Sequence, residues 1–317
     1  MNNIFSKIKI ILKGIIHSIK PPKINFSDGD TLEKAENYLE RYREIVMDPL
    51  NTMINRVPNS GYIDKDGDVI LHNGNSVAIS GKNSYYGSFS DILIINRGVH
   101  EPLEEYCFQT VLNKIQNDSP KMIELGAYWS HYSMWLSKCK PNSECIMVEP
   151  DFNNIEAGKR NFQKNGYKGE FIQQIVGEDG FVVDNFLNER SIETLDILHS
   201  DIQGYEVEML SGALNSLKHK KIDYLFISTH SEELHEEVKH LLEKTNYLIE
   251  VSSGFSEHTT STDGFIFARS SLAIPMFENF EPLGRLEILN SNNNDFVNYL
   301  GNIESIIKTK SFPQANK

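Results

Sequence analysis

Residues 122–136 read MIELGAYWSHYSMWL, and residues 148–151 read VEPD. The first stretch opens on an apolar run (Met122, Ile123, Leu125) that ends in Gly126 and Ala127. A polar turn follows, and then Trp129, Tyr132, Ser133, Trp135 and Leu136 fall at helix-like spacing. A second apolar run, Cys145 to Val148, ends on an acid, Glu149. Strand, glycine turn, helix, strand and acid, in that order, form the layout of a nucleotide-binding βαβ unit. Glycine at the turn admits close backbone approach, and an acid at the second strand's tip can accept from both hydroxyls of a ribose. A ligand carrying an adenosine is expected.

The loop chemistry narrows the ligand. A dinucleotide site uses G-x-G-x-x-G, because a pyrophosphate must lie against bare backbone and a helix N-terminus. Here Gly126-Ala127-Tyr128-Trp129-Ser130 has one glycine and bulky side chains. That suits a ligand without phosphates, such as S-adenosylmethionine. Glu124, two residues before the glycine, is placed to meet the ligand's amino group or its water shell. The alternative is a buried βα turn of any α/β protein.

Composition supports an acidic enzyme rather than a nucleic-acid binder. The 317 residues carry a formal net charge of −13, whereas phosphate recognition is built on Lys and Arg. The length allows one large domain or two modest ones. Cys107, Cys139 and Cys145 have no metal-ligand spacing and cannot all pair, so the chain reads as reduced and cytoplasmic. No metal site is expected. HSEELHEEVKH at 230–240 lacks H-E-x-x-H, because His235 and His240 are five apart and turn to different helix faces. The DKDGD string at 64–68 lacks the calcium-loop spacing and reads as a turn.

Residues 1–20 depart from the acidic balance. They hold Lys7, Lys9, Lys13 and Lys20 and no acid, with Phe5, Ile8, Ile11, Leu12, Ile15 and Ile19 on one helical face. The run is too short and too basic for a span, and it lacks a signal-peptide cleavage site. Two readings stand: a peripheral helix on an anionic membrane surface, or a helix packed on its own domain or a partner subunit. Oligomeric state is not readable.

The remaining chain divides into an N-terminal extension (21–100), a central domain (101–270) and a C-terminal appendage (271–317). A helix is expected over 31–57, and a hairpin around Asp66-Gly67. Another helix over 103–116 leads into the central domain. There strands at 121–125, 145–148, 170–175, 195–200 and 222–229 alternate with helices at 130–138, 152–164, 204–218 and 231–244. That alternation predicts a parallel sheet covered on both faces. Tyr247–Val251 and Phe265–Ala268 read as an antiparallel pair at one sheet edge. Tyr85, Tyr86 and Phe89 either cover a ligand or form a hydrophobic satellite.

The order of motifs over residues 98–270 resembles the FkbM family of S-adenosylmethionine-dependent methyltransferases. Glu101-Pro102 is similar to the family's Glu-Pro before a helix. Glu124-Leu125-Gly126-Ala127-Tyr128-Trp129-Ser130-His131-Tyr132-Ser133 is similar to D-V-G-A-N-x-G-x-x-[ST], and Val148-Glu149-Pro150 to F-E-P. Asn165-Gly166 and Ile175-Val176-Gly177 follow in family order. Ser200 to Ala213 is similar to I-D-V-E-G-x-E-x-x-V-L-x-G-A, and Ser228-Thr229-His230 to E-x-H. The resemblance implies a Rossmann-like α/β fold, the seven-stranded class I methyltransferase sheet. It also implies an S-adenosylmethionine site at Glu101, Glu124, Gly126, Tyr128, Ser130, Glu149, Gly177 and Asp201. The expected reaction is O-methylation of a small-molecule or glycan-precursor hydroxyl.

Position in the sheet supports part of this directly. Ligands of open α/β sheets bind at the carboxyl ends of strands, near the switch point. Gly126, Glu149, Asp201 and His230 lie at such ends, and Gly177 opens the loop where adenine would lie. Asp201 is expected to orient cofactor or acceptor, with helix capping as its alternative role. His230 is expected to take the acceptor's proton, with a structural role as the alternative. Ser130, Tyr128, Gln203 and Ser228 depart from the family pattern. They keep open a catalytically inactive binding or scaffold protein. A nicotinamide-dependent oxidoreductase is the other alternative.

Overall fold

The computed structural model describes residues 41–81, 84, 87–255, 263–278, 280–283 and 285–309. The basic segment 1–20, residues 31–40, and Tyr85 and Tyr86 lie outside them. No helix among the described residues is long and apolar enough to cross a membrane.

Seven strands form the main sheet: β3 (Lys121–Leu125), β4 (Glu144–Val148), β5 (Glu170–Ile172), β6 (Leu195–Ser200), β7 (Ile222–Thr229), β8 (Leu248–Ser253) and β9 (Gly264–Arg269). A separate antiparallel pair, β1 (Asp68–Ile70) and β2 (Ser76–Ala78), precedes them. The main sheet runs β5-β4-β3-β6-β7-β9-β8. All neighbours are parallel except β9, which is antiparallel to both β7 and β8. The expected terminal pair is therefore present, with the later strand inserted beside β7. Strand order reverses between β3 and β6, which opens a crevice at their carboxyl ends.

The strands read as near-continuous apolar runs because both faces are covered. Side chains alternate between faces along each strand. Met122, Met147, Ile197 and Phe226 join one core, and Ile123, Ile146, Leu198 and Leu225 join the other. The first face carries α1 (Pro102–Lys114), α2 (His131–Cys139) and α3 (Phe152–Asn165), through Phe108, Trp135 and Phe162. The second carries α4 (Val183–Glu189), α5 (Glu206–Gly212), α6 (Leu214–Lys218) and α7 (Glu232–Lys244). The single helix expected over 204–218 is divided at Ala213, and β5 stops at Ile172 rather than 175.

The flanking segments depart more from expectation. Residues 41–47 are helical, but Pro49 opens a 3-10 turn capped by Asp48, so the helix does not reach 57. The Asp66-Gly67 turn forms, with Gly67 N–H donating to Asp64 carbonyl at 3.0 Å and one bridge from Ile63 to Val69. The regular ladder, however, joins β1 to β2 across the next turn. The carboxylates of the DKDGD string face α3: Lys164 Nζ lies 2.5 Å from Asp66, and Arg160 lies 2.7 Å from Asp68. The C-terminal segment buries Met276, Phe280, Tyr299 and Ile303 in the first core. It ends in α8 (Arg285–Asn290) and α9 (Asn293–Thr309). Phe89 is buried against Tyr42, with ring centroids 4.8 Å apart, within the first core.

Candidate active site

A cavity of about 450 Å³ opens where the strand order reverses, and Gly126, Glu149, Asp201 and Tyr205 are among its lining residues. Its apolar wall is Pro150, Ile175, Val176 and Ile202. Gly126 has φ +70°, and a Cβ there would lie 1.7 Å from the Asp201 carbonyl oxygen. The glycine is thus required by the loop after β6, which packs directly on it. Close approach of backbone to backbone, rather than to a ligand, fixes this residue.

Glu149 is buried at the tip of β4. Its Oε2 accepts from Tyr128 N–H at 3.0 Å. Its Oε1 accepts from Asp151 N–H at 3.0 Å and, more weakly, from Asn154 Nδ2 at 3.4 Å. Burial pushes its carboxyl up, and these donors pull it back. Oε2 retains acceptor capacity toward the cavity, which is what a ribose diol needs. Tyr128 lines the same cavity, and its hydroxyl donates to Ser84 carbonyl at 3.3 Å. The N-terminal extension therefore reaches the cavity rim.

Ser130 sits at the N-cap of α2 with φ 61°, a left-handed conformation that favours glycine. Its hydroxyl is buried against Gly158 of α3, where a Cβ would stand 2.5 Å from Oγ. The space that Ser130 requires has been vacated on the facing helix. Ser130 makes no contribution to the large cavity's lining. Gly177 (φ +135°) does not line it either; Ile175 and Val176 do.

Glu124 braces the start of α2. Its Oε1 accepts from Tyr132 N–H at 3.3 Å, and its Oε2 from Ser133 N–H at 3.0 Å. Both oxygens are engaged at the first turn of α2, where orphan N–H groups require acceptors. Glu101 precedes Pro102 at the start of α1, and Tyr132 Oη donates to its Oε2 at 3.0 Å. Burial, with the nearby charges of Glu104 and Asp201, pushes Glu101 to about 7 against the pull of His100. Glu101, Glu124 and Asp201 share a smaller cavity of about 30 Å³ beside the large one.

Asp201 and His230 are brought together. His230 Nε2 lies 3.1 Å from Asp201 Oδ1, and Nδ1 lies 2.6 Å from Glu206 Oε1. Gln203 Nε2 donates to Asp201 Oδ1 at 3.1 Å and stands 2.7 Å from His230 Nε2. Burial opposes charge on His230, but its bonds to Asp201 and Glu206, with the charge of Asp263, raise it to about 10. Burial likewise opposes charge on Asp201, and the bond to His230 holds its carboxyl below the usual range. The surrounding carboxylates favour the charged form of His230 at neutral pH, which counts against the expected role as resting base. Neither alternative capping role applies. Ser231 caps α7, accepting from Leu234 N–H at 3.1 Å, and Glu206 accepts from Gly204 N–H at 3.1 Å ahead of α5.

Sequence reading missed three partners. Glu206 stands inside the quoted motif, so its signal was available. Glu104 and Asp263 carry none. Glu104 Oε2 accepts from Ser228 Oγ at 2.9 Å, and Glu104 Oε1 pairs with His199. An acid from α1 thus occupies the place left by the acid missing at 228. His235 is buried between Thr229 Oγ1 at 2.8 Å and Ser252 Oγ at 3.0 Å, while His240 is exposed, so the two face apart as expected.

Counted from β3, the sheet order is 3-2-1-4-5-7-6 with only the seventh strand antiparallel. With a glycine turn after the first strand and an acid at the second strand's tip, this is the Rossmann-like class I methyltransferase fold. Residues 101–249 match the family described as the methyltransferase FkbM domain, a family of S-adenosylmethionine-dependent enzymes. No curated protein sequence matches the chain. Similar solved structures include precorrin-6y C5,15-methyltransferase from Geobacter metallireducens (15% identity, 53% of this chain and 88% of that one, TM-score 0.38). Others are M. capricolum TrmK in complex with S-adenosyl-homocysteine (17%, 64% and 87%, TM-score 0.37) and a Bacillus cereus O-methyltransferase in complex with SAH (12%, 55% and 82%, TM-score 0.38).

Proposed function

We propose that this methyltransferase binds S-adenosylmethionine in the large cavity and O-methylates a hydroxyl of a small molecule or glycan precursor. The observation that carries the cofactor placement is the charge of the lining. Glu149 and Asp201 face the cavity, and among the described residues no Lys or Arg lines it. Such a wall suits a cationic sulfonium with a ribose diol and repels the phosphates of a nicotinamide dinucleotide. Bound S-adenosylmethionine supplies an electrophilic methyl group with a neutral thioether as leaving group.

The chain's residues do the rest. Glu149 accepts from the ribose hydroxyls, and the apolar wall covers the adenine. Asp201 orients the acceptor hydroxyl and takes its proton late, once the oxygen has bonded to the methyl group and become strongly acidic. A low-pKa carboxylate suffices for that proton, and the imidazolium of His230 holds Asp201 in place. The glycan class rests on the family resemblance, an argument by analogy.

Calorimetry with the full chain tests the placement. S-adenosylmethionine and S-adenosylhomocysteine should bind, and nicotinamide dinucleotides should not. Glu149→Ala leaves donors unpaired and should weaken binding by about 1–3 kcal/mol. Unchanged affinity in a folded Glu149→Ala variant, or tighter dinucleotide binding in the wild type, overturns it.

A further inference from the structure

Away from the cavity, three histidines converge on one buried carboxylate. His72 follows β1, His100 precedes α1, Glu105 lies in the first turn of α1, and His131 begins α2. All four are buried at 2% exposure or less. His72 Nε2 is 3.0 Å from Glu105 Oε2, His100 Nδ1 is 2.7 Å from Glu105 Oε1, and His131 Nε2 is 3.9 Å from Glu105 Oε1. One ligand atom from each of His72, Glu105 and His131 falls within 4.8 Å of the others.

Neither ring nitrogen of His131, nor Nδ1 of His72, has a hydrogen-bond partner among the described residues. Buried polar atoms are ordinarily satisfied, and each exception requires an explanation. Here the unsatisfied atoms are imidazole nitrogens beside a carboxylate, the donor set of a borderline divalent cation.

We propose that His72, Glu105 and His131 hold a structural zinc ion, with His100 orienting the carboxylate. Tetrahedral zinc at about 2.0–2.2 Å from its ligands sets them roughly 3.4 Å apart, so closure asks for shifts of about an ångström. The supports are rigid. A Cβ at Gly98 would stand 2.1 Å from the His72 backbone nitrogen, so that crossing admits only glycine. His100 Nδ1 lies 2.7 Å from Glu105 Oε1, and the His100 backbone N–H donates to the same oxygen at 2.8 Å, the kind of outer partners that metal-binding carboxylates require. Trp129 stacks on His131 with centroids 5.0 Å apart, and Trp135 meets His72 edge-on at 4.3 Å, so the site is shielded by aromatic rings. The ligands come from three separate elements, so the ion would fasten the N-terminal extension to α1 and α2.

The proposal is independent of the methyl-transfer reading and is tested on the full chain. Protein stripped with a chelator is titrated with Zn²⁺ and, separately, Co²⁺. Bound metal is measured by elemental analysis after gel filtration. One zinc per chain is expected, with d–d absorption for the cobalt form. Melting temperature should rise on Zn²⁺ addition and fall back on chelation. His131→Gln and His72→Gln, checked for folding by circular dichroism, should each retain at least about tenfold less metal. His100→Gln should lose about 10–100-fold in affinity as an outer-partner variant. His240→Ala, on the exposed helix face, serves as the unaffected control. A stripped wild type that takes up neither ion and whose melting temperature ignores Zn²⁺ overturns the proposal. So does a folded His131→Gln variant that retains wild-type metal.

Discussion

Two acid–histidine clusters occupy this molecule, one at the strand tips and one inside the first core. At the tips, His230 is flanked by Asp201, Glu206 and Asp263, and the Asp201 side chain is 30% exposed. Inside, Glu105 is flanked by His72, His100 and His131, and nothing exceeds 2% exposure. Excess of acid over base holds His230 charged. Excess of base over acid does the reverse to His131: burial, with repulsion from His100 and His72, pushes it well below its ordinary value. The same residue types serve chemistry where acids outnumber histidines beside an open cavity, and structure where histidines outnumber the acid in a dry core. Local stoichiometry and access to water, more than residue identity, separate the two roles.

The separation can be broken by mutation. Asp201→Asn should lower turnover by about two to four orders of magnitude while leaving the melting temperature nearly unchanged. The assay is labelled-methyl transfer across a screen of sugars and glycan precursors. Wild-type turnover by Asp201→Asn would assign the strand-tip cluster to structure. Glu105→Gln should do the opposite. It removes the carboxylate that His72, His100 and His131 all face, and losing one member of a buried charged group costs about 3–5 kcal/mol. Denaturant unfolding should register that loss, with cofactor affinity of the surviving folded fraction intact.

Two pH measurements sharpen the contrast on a finer scale. His131 is depressed in the folded state, so its neutral form is the one that folding requires. Its stability contribution is complete above the unfolded value of 6.5 and is lost as pH falls below it. Relative to His131→Phe, chelator-stripped wild type should lose about 1.4 kcal/mol per pH unit there, the slope for one proton. His230 has the opposite sign. Its contribution is complete below 6.5 and is lost as pH rises toward about 10, read as the wild-type difference from His230→Gln. Glu101, raised to about 7, adds a test on activity. Any inflection in turnover near neutrality should persist in His230→Gln and vanish in Glu101→Gln. Loss of the inflection in His230→Gln alone would restore the histidine as the base.

The sheet was legible because its strands are buried on both faces and carry apolar runs, as in Ile197-Leu198 of β6 and Leu225-Phe226-Ile227 of β7. The strand-tip site was legible because each member follows such a run, and Glu149 and Asp201 do line the cavity. Roles were less legible than positions. Glu124 reads as a ligand contact from its spacing, yet only the folded chain shows both its oxygens taken by N–H groups of α2. The reason for Gly126 lies seventy-five residues on, at the Asp201 carbonyl. The inner cluster was invisible, since positions 72, 100, 105 and 131 share no periodicity and meet only through packing. The helix ends at residue 47, short of 57, because Asp48 and Pro49 open a 3-10 turn.

The side chain of Asn165, at the end of α3, donates to Ser76 carbonyl at 2.9 Å and accepts from Ser76 N–H at 2.8 Å. A primary amide there does what another strand would do, pairing both backbone groups of one residue on the outer side of β2. Unpaired strand edges are templates for pairing between molecules. Asn165 thereby guards this small two-stranded sheet against recruitment by a second chain. A single residue at a helix terminus thus closes one position of a strand edge that lies outside the large cavity's lining.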